Sequence, residues 1–468
     1  METYTKKERN RYLIGLSGQN IIYGIITSSL AYFLQFTILI PALWVGVILS
    51  VSRIFDAIQD PFIGALLSKS KHQFKYYLTV LPVPTAILTI LCFTGRIYSS
   101  SNSSIENSVI IISEFCFYII WESIYALGDV PITGYPSLLT KNEKDRTKLI
   151  SLRPIGSMAG SISALLVQPI ALALSALFGG TAADERNSFL ITVTIFSIIG
   201  GAMYQLTAIG STQKVKSTTD SKANQFKYFI TNPLLRKISI SGILGSMKAM
   251  SGIVLTPLVT YYFASKNPAL SLFYTILLGC GSFLGMIISM LFIPKLTEKY
   301  SNIKIFVYSN LMNITPCCLL FILYLKFPKN MADTAQLILL FVLTLIIGSC
   351  TSISTTVQSL IISDAVELEN KISGNRPAAI FFSCQTFIIK IGAGISSLIA
   401  SLSYVIIHFS SEETRILNEY IANGGIPRLD NSYSVLMNTL FFLFTIPVAL
   451  SSLLTVIPFL YNNKPKCR

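Results

Sequence analysis

The sequence predicts an all-α integral membrane protein, with twelve transmembrane helices arranged as two six-helix bundles. Composition is the first reason. Of the 468 residues, 52% are hydrophobic and only 12% are charged, with a mean hydropathy of +0.62. A soluble chain carries about 25% charge. Run length is the second reason. The apolar residues form stretches long enough for helical spans of ~20 residues, not the alternating segments of about ten residues that build a barrel. The third is that lysine and arginine gather on alternate connectors. Together these exclude a soluble globular protein, a secreted disulfide scaffold and a disordered chain. The net charge of +14 belongs to membrane-flanking loops rather than to a nucleic-acid partner.

The elements follow in order. A basic tail with Lys6, Lys7, Arg9 and Arg11 precedes the first run, 12–37, which is too long for a cleaved signal and has no A-x-A site. Spans two and three, 42–68 and 76–97, flank Lys69, Lys71 and Lys75. Span four, 108–139, is followed by Lys141, Lys144, Arg146 and Lys148, then by spans at 149–178 and 188–211. Residues 212–237 are polar and basic and read as a cytoplasmic linker between an N-terminal bundle, 1–211, and a C-terminal one, 238–468. The second half supplies spans at 238–264, 271–294, 304–326, 336–362, 378–407 and 435–460.

With the N-terminus inside, the inner segments hold 25 of the 36 basic residues, the outer loops 7, and the spans Arg53, Arg153, Lys248 and Lys390. This predicts a multi-pass protein of the cell membrane with both termini cytoplasmic. The layout is also the general plan of the major facilitator superfamily, in which two bundles pack around a midplane cavity. Enzymatic chemistry has no home here. The eight cysteines include no C-x-x-C, and no Ser/His/Asp or metal-ligand cluster accompanies the two histidines.

Charges within the spans are the functional candidates, because an ionisable group at bilayer depth is costly unless paired or hydrated. Arg53, Asp56 and Asp60 share one face of span two. Glu122 and Asp129 share a face of span four, and Glu114, nearer its outer end, reads as interfacial. Counted from the cytoplasmic ends, Asp56, Asp60, Asp129, Lys248 and Lys390 lie 8 to 12 residues deep, which is about 12–18 Å into a core of roughly 30 Å. Carboxylates from two helices at one level can hold a sodium ion or keep one proton through mutual repulsion. Pro61, Pro131 and Pro136 free carbonyls beside these carboxylates.

Three segments carry a family resemblance: SRIFDAIQDPFIGALL, WESIYALGDVPITGYPSLLTKNEKDRTKLISLR and DAVELENKISGNRPAAIFFSCQTFIIKIGAGI. The first resembles the R-x-x-D-x-x-x-D-P-x-x-G signature of the glycoside–pentoside–hexuronide:cation symporters, the melibiose permease-like family. The second is similar to that family's W-x-x-x-Y-x-x-x-D-x-P segment and charged loop, and the third to its Q-T-x-x-x-K-x-G core. The resemblance implies that Asp56, Asp60 and Asp129 bind the coupling cation, as metal ligands only if that ion is sodium. It places Tyr125, Arg153, Gln385, Thr386 and Lys390 around the solute, with Asn20 at the position of a family aspartate. Arg53, Glu122 and Lys248 join as a charge network. Asp364, Glu367, Glu369, Lys371 and Arg376 look like a gate in the loop before span eleven.

Several departures bear on the solute. Asn20 is uncharged, and Thr133 and Thr355 stand where the family has tryptophan platforms. Losing the aromatic platforms and the carboxylate weakens a disaccharide reading, whereas Lys248 and Lys390 suit an anionic uronide. Ala126 replaces a hydroxyl found in sodium-using relatives, which leans toward protons. The expectation is a cation-coupled symporter for a sugar, glycoside or uronide. A symporter for a non-sugar solute or lipid, or a non-transporting receptor, is the alternative. The expected partners are the solute, the coupling ion (sodium or proton) and the bilayer, with no other cofactor, no nucleic acid and a monomeric state.

Overall fold

The computed structural model describes residues 4–69, 74–140, 149, 152–209, 231–373 and 378–460. Most of the expected linker, the charged loop at 141–148 and Arg376 of the expected gate lie outside the described residues. Among the described residues there is helix and no strand. Among the described residues nine helices are long and apolar enough to cross a membrane, or ten if one bent pair counts as a span. The chain divides into two compact units. Unit 1 takes Met1–Ser221, Lys266–Leu272 and Phe409–Asn423; unit 2 takes Lys222–Ser265, Phe273–His408 and Gly424–Arg468.

In unit 1, α1 (Lys6–Ile25) starts at a capping box in which Thr5 accepts from the Glu8 amide and Glu8 accepts from the Thr5 amide. It runs on through π turns at Ile26–Leu30 and Phe33–Thr37. α2 (Ala42–Lys69) is one continuous helix. Expected span three is broken into α3 (Phe74–Val80) and α4 (Pro82–Leu91). The Ser103/Glu106 box starts α5 (Ser104–Gly134), which keeps Pro131 inside it, and the one-turn α6 (Pro136–Leu139) follows. α7 (Arg153–Leu165), α8 (Val167–Phe178) and α9 (Ala182–Gln205) complete the long helices.

Unit 2 opens with a broken span. α10 (Pro233–Leu244) stops at Gly245, a 3₁₀ turn covers Ser246–Ala249, and α11 (Met250–Pro257) passes into a π segment at Leu258–Phe263. The axis bends by 46° there, where Gly242, Gly245 and Gly252 lower helix propensity. α12 (Pro268–Lys299), α13 (Asn302–Lys326), α14 (Thr334–Ser373), α15 (Ala378–Ile406) and α17 (Ser434–Leu460) are long and apolar. The short α16 (Ser411–Ala422), counted with unit 1, lies between the expected spans at 378–407 and 435–460.

The expected gate loop is a correction. Asp364, Glu367, Glu369 and Lys371 stand on the last turns of α14, a 40-residue helix. No glycine or proline interrupts residues 363–373, and Ala, Glu, Leu and Lys favour continued helix. Glu369 is buried and accepts from Asn232 Nδ2 at 3.1 Å, so it also secures the start of α10.

Candidate functional site

The first cluster depends on how α1 is held. A Cβ added at Gly18 would lie 2.5 Å from the Tyr204 amide nitrogen, and one at Gly160 would lie 2.7 Å from Asn20 Cβ. α1 is therefore pressed between α9 and α7, and its remaining face, Tyr12, Leu16, Gln19 and Tyr23, is fixed by helical spacing. Tyr12 stacks on Tyr135 and Tyr23 on Tyr125, with centroids 6.5 and 5.3 Å apart. Between them, Gln19 Nε2 donates to Asp129 Oδ1 at 2.8 Å.

Beside this face, Arg53 of α2 and Glu122 of α5 form a buried ion pair, Nε to Oε1 3.2 Å, with side-chain exposures of 7% and 0%. The guanidinium also lies over two rings, 5.4 Å from the Tyr23 centroid and 5.9 Å from that of Tyr118. Ring faces attract a desolvated cation. Trp121 extends the pile, stacked 4.9 Å from Tyr125 and donating from Nε1 to Thr89 Oγ1 at 2.7 Å. Asp56, three residues beyond Arg53 and buried, adds its negative charge to the field at the guanidinium. Protonating one carboxyl here would change what Arg53 can pair with, so the cluster can couple ion occupancy to side-chain arrangement.

Unit 2 holds its charge differently. The 3₁₀ turn presents Lys248, whose Nζ donates to Asn310 Oδ1. Asn310 Nδ2 donates to Ser354 Oγ at 3.0 Å and to the Phe306 carbonyl at 2.7 Å. On α15, Gln385 Nε2 donates to Ser359 Oγ at 3.0 Å, and Ser396 Oγ donates to the Ser246 carbonyl at 2.7 Å. These hydrogen-bonding partners of the lysine, the amides and the hydroxyls are neutral.

Among the residues expected at the site, Asp129, Glu122, Arg53 and Tyr125 meet around one face of α1. Asn20 does not: its Nδ2 donates to the Leu16 carbonyl at 2.9 Å and to Ser157 Oγ at 3.3 Å, toward α7. Arg153 begins α7, and its Nη2 donates to Thr133 Oγ1 at 3.4 Å. Asp60, Gln385 and Lys390 are half-buried, and Thr386 is exposed. Among the described residues no group of three or more His, Cys, Asp or Glu could hold a metal ion. Asp56, Asp60 and Asp129 thus do not form one ready sodium-ligand group in this conformation, with Asp129 held by Gln19.

Sequence reasoning passed over Gln19, Tyr23, Tyr118, Asn310 and Ser354. Gln19 and Tyr23 carried a signal, their spacing of four from each other. Asn310 carried one too, as an amide within an apolar run. Glu114 is a further correction: it is 1% exposed rather than interfacial, because Gly95 and Ile38 close over it.

Comparison with known proteins agrees with this architecture. Residues 11–462 match the family described as MFS/sugar transport protein. The symporter YnaJ of Bacillus subtilis (strain 168), itself uncharacterized, is 26% identical over 408 residues, covering 84% of this chain and 82% of its own. The raffinose carrier protein of Pediococcus pentosaceus is 26% identical over 369 residues, covering 75% of this chain and 54% of its own. The nucleoside transporter NupG shares the fold, with a TM-score of 0.63 at 13% identity over 93% of this chain and 98% of that one. A match from the first predicted span to the last, on an all-α membrane fold, places this chain in the MFS/sugar transport family, as a symporter and not an enzyme.

Proposed function

We propose that the protein imports a sugar, glycoside or uronide together with a proton, by alternating access across the cell membrane, with both termini cytoplasmic. The observation that carries this reading is the α5 face on which Glu122 pairs with Arg53 and Asp129 accepts from Gln19. Asp60 belongs to the same coupling group, one turn beyond Asp56 on α2. A proton on one of these carboxyls changes the charge that Arg53 must balance, so the empty and loaded sites favour different arrangements. Proton coupling is favoured over sodium because buried carboxyls exceed buried cations on α2 and α5, and because Ala126 offers no hydroxyl ligand.

Each unit taken by itself offers candidate solute contacts: Tyr125, Tyr23 and Arg153 in unit 1, and Gln385, Thr386, Lys390 and Lys248 in unit 2. The relative named as a raffinose carrier supports a glycoside. The uronide reading has its own support: Lys248 is a cation whose hydrogen-bonding partner is a neutral amide, which suits an anionic group on the solute.

The test is uptake into proteoliposomes of raffinose and of a simple glucuronide, under an imposed pH gradient or an imposed sodium gradient. Wild-type protein is expected to accumulate one of them under the pH gradient, and Asp60→Asn to lose that accumulation. Wild-type accumulation by Asp60→Asn would refute the assignment. Binding without solute-driven ion movement would point to a receptor, and accumulation only under the sodium gradient would overturn the proton.

A further inference from the structure

Glu114 lies eight residues before Glu122 on α5, on the same side as Tyr118 and Glu122 by the spacing of four. It is 1% exposed, and neither carboxyl oxygen has a hydrogen-bond partner among the described residues. A Cβ added at Gly95 would sit 2.6 Å from Oε1, so the carboxyl rests directly against main chain, with Ile38 beside it. The charged and titratable groups facing it are Arg186 from α9 and Cys92 from the end of α4. Arg186 is already engaged: Nε donates to the Gly95 carbonyl at 2.5 Å, Nη2 to the Thr94 carbonyl at 2.7 Å and Nη1 to Asn187 Oδ1 at 3.1 Å. An ionised carboxylate without a donor in such a place is heavily penalised, and a neutral carboxyl far less.

We propose that Glu114 is a proton-binding site, a carboxyl that unit 1 holds neutral in its interior, distinct from Asp56, Asp60 and Asp129. In the proton-coupled reading, on which its use in transport rests, it stands at the outer end of α5 as the station before Glu122. The binding step is a simple proton association, with the proton drawn from and returned to water when the site opens.

The experiment is a pH-difference infrared spectrum of the full-length protein reconstituted in lipid. Wild-type protein is expected to show the carbonyl stretch of a buried protonated carboxyl, and Glu114→Gln to lose that band. Gly95→Ala keeps the carboxyl but crowds Oε1, so it is expected to shift the band rather than remove it. This second variant keeps the test alive should Glu114→Gln fold poorly. Identical protonated-carboxyl bands in wild type and both variants would overturn the proposal. Transport separates the two readings. In Glu114→Gln, uptake driven by a pH gradient is expected to fall while solute exchange without a gradient persists. A band lost with uptake tied only to sodium would keep the proton site and discard proton coupling.

Discussion

The two units bury charge in opposite ways. Unit 1 answers charge with charge: Arg53 is paired with Glu122, flanked by Asp56 and covered by the rings of Tyr23 and Tyr118. Unit 2 holds half-buried Lys248 against an amide, which passes on to a serine hydroxyl. A paired ion in low dielectric is stable only while its partner stays ionised, so its arrangement responds to a proton. A lysine solvated by neutral groups is indifferent to its neighbours' protonation and retains attraction for an anion. The contrast supports the proposed function, in which ion response falls to the first unit and part of solute recognition to the second.

The largest effect expected from breaking this contrast is at the buried pair. Glu122→Gln removes the ion-pair partner of Arg53 and leaves only Asp56 nearby, which is expected to cost about 3–5 kcal/mol. The measurement is the thermal midpoint of purified protein, together with that of the double variant Arg53→Met, Glu122→Gln. Most of the lost stability is expected to return in the double variant, since a well-packed apolar replacement for both partners is often neutral. A double variant no more stable than Glu122→Gln would mean that the pair does not act as a unit.

Lys248→Met probes the other side and should go the opposite way. Removing a half-buried cation with no paired carboxylate among the described residues is expected to leave stability unchanged or raised by up to about 2 kcal/mol, with Asn310 still held by Ser354. In the uptake assay, glucuronide transport is expected to fall and raffinose transport to persist. A severe loss of stability would show that Lys248 is paired more strongly than its amide partner implies.

Much of this was legible in the sequence, for specific reasons. Long apolar runs fix where helices lie, because a span must satisfy its own backbone hydrogen bonds. Arg53, Asp56 and Asp129 stood out because charge in such runs is costly. What stayed hidden depends on neighbours from elsewhere in the chain. Asn20 and Gln19 are adjacent residues of similar chemistry, and only the packing of Gly18 and Gly160 decides that Gln19 meets Asp129. Glu114 looked interfacial because its burial is made by Gly95, Ile38 and Arg186, none of them on α5. The gate residues looked like a loop because charge usually ends a span, yet α14 carries them on as helix.

The smallest effects expected are at two helix starts, and they extend the same contrast. In unit 1, exposed Thr181 caps α9: its Oγ1 accepts from the Asp184 amide at 3.2 Å, and Asp184 accepts from the Thr181 amide at 3.0 Å. In unit 2, Asn232 is fully buried, and its Oδ1 accepts from the amides of Leu234 and Leu235 at 3.2 and 3.0 Å. Its Nδ2 also donates to the Ala365 carbonyl and the Glu369 carboxylate. Water can replace the lost cap at Thr181→Ala, so that change is expected to cost about 1 kcal/mol. Asn232→Ala removes a hydrogen bond to the buried Glu369 carboxylate as well as the amide caps, so its cost is expected at about 2 kcal/mol or more. Thermal midpoints rank the two directly. Equal losses would mean that the buried cap in unit 2 is reached by water, and that neutral solvation of charge in that unit is looser than the contacts around Lys248 indicate.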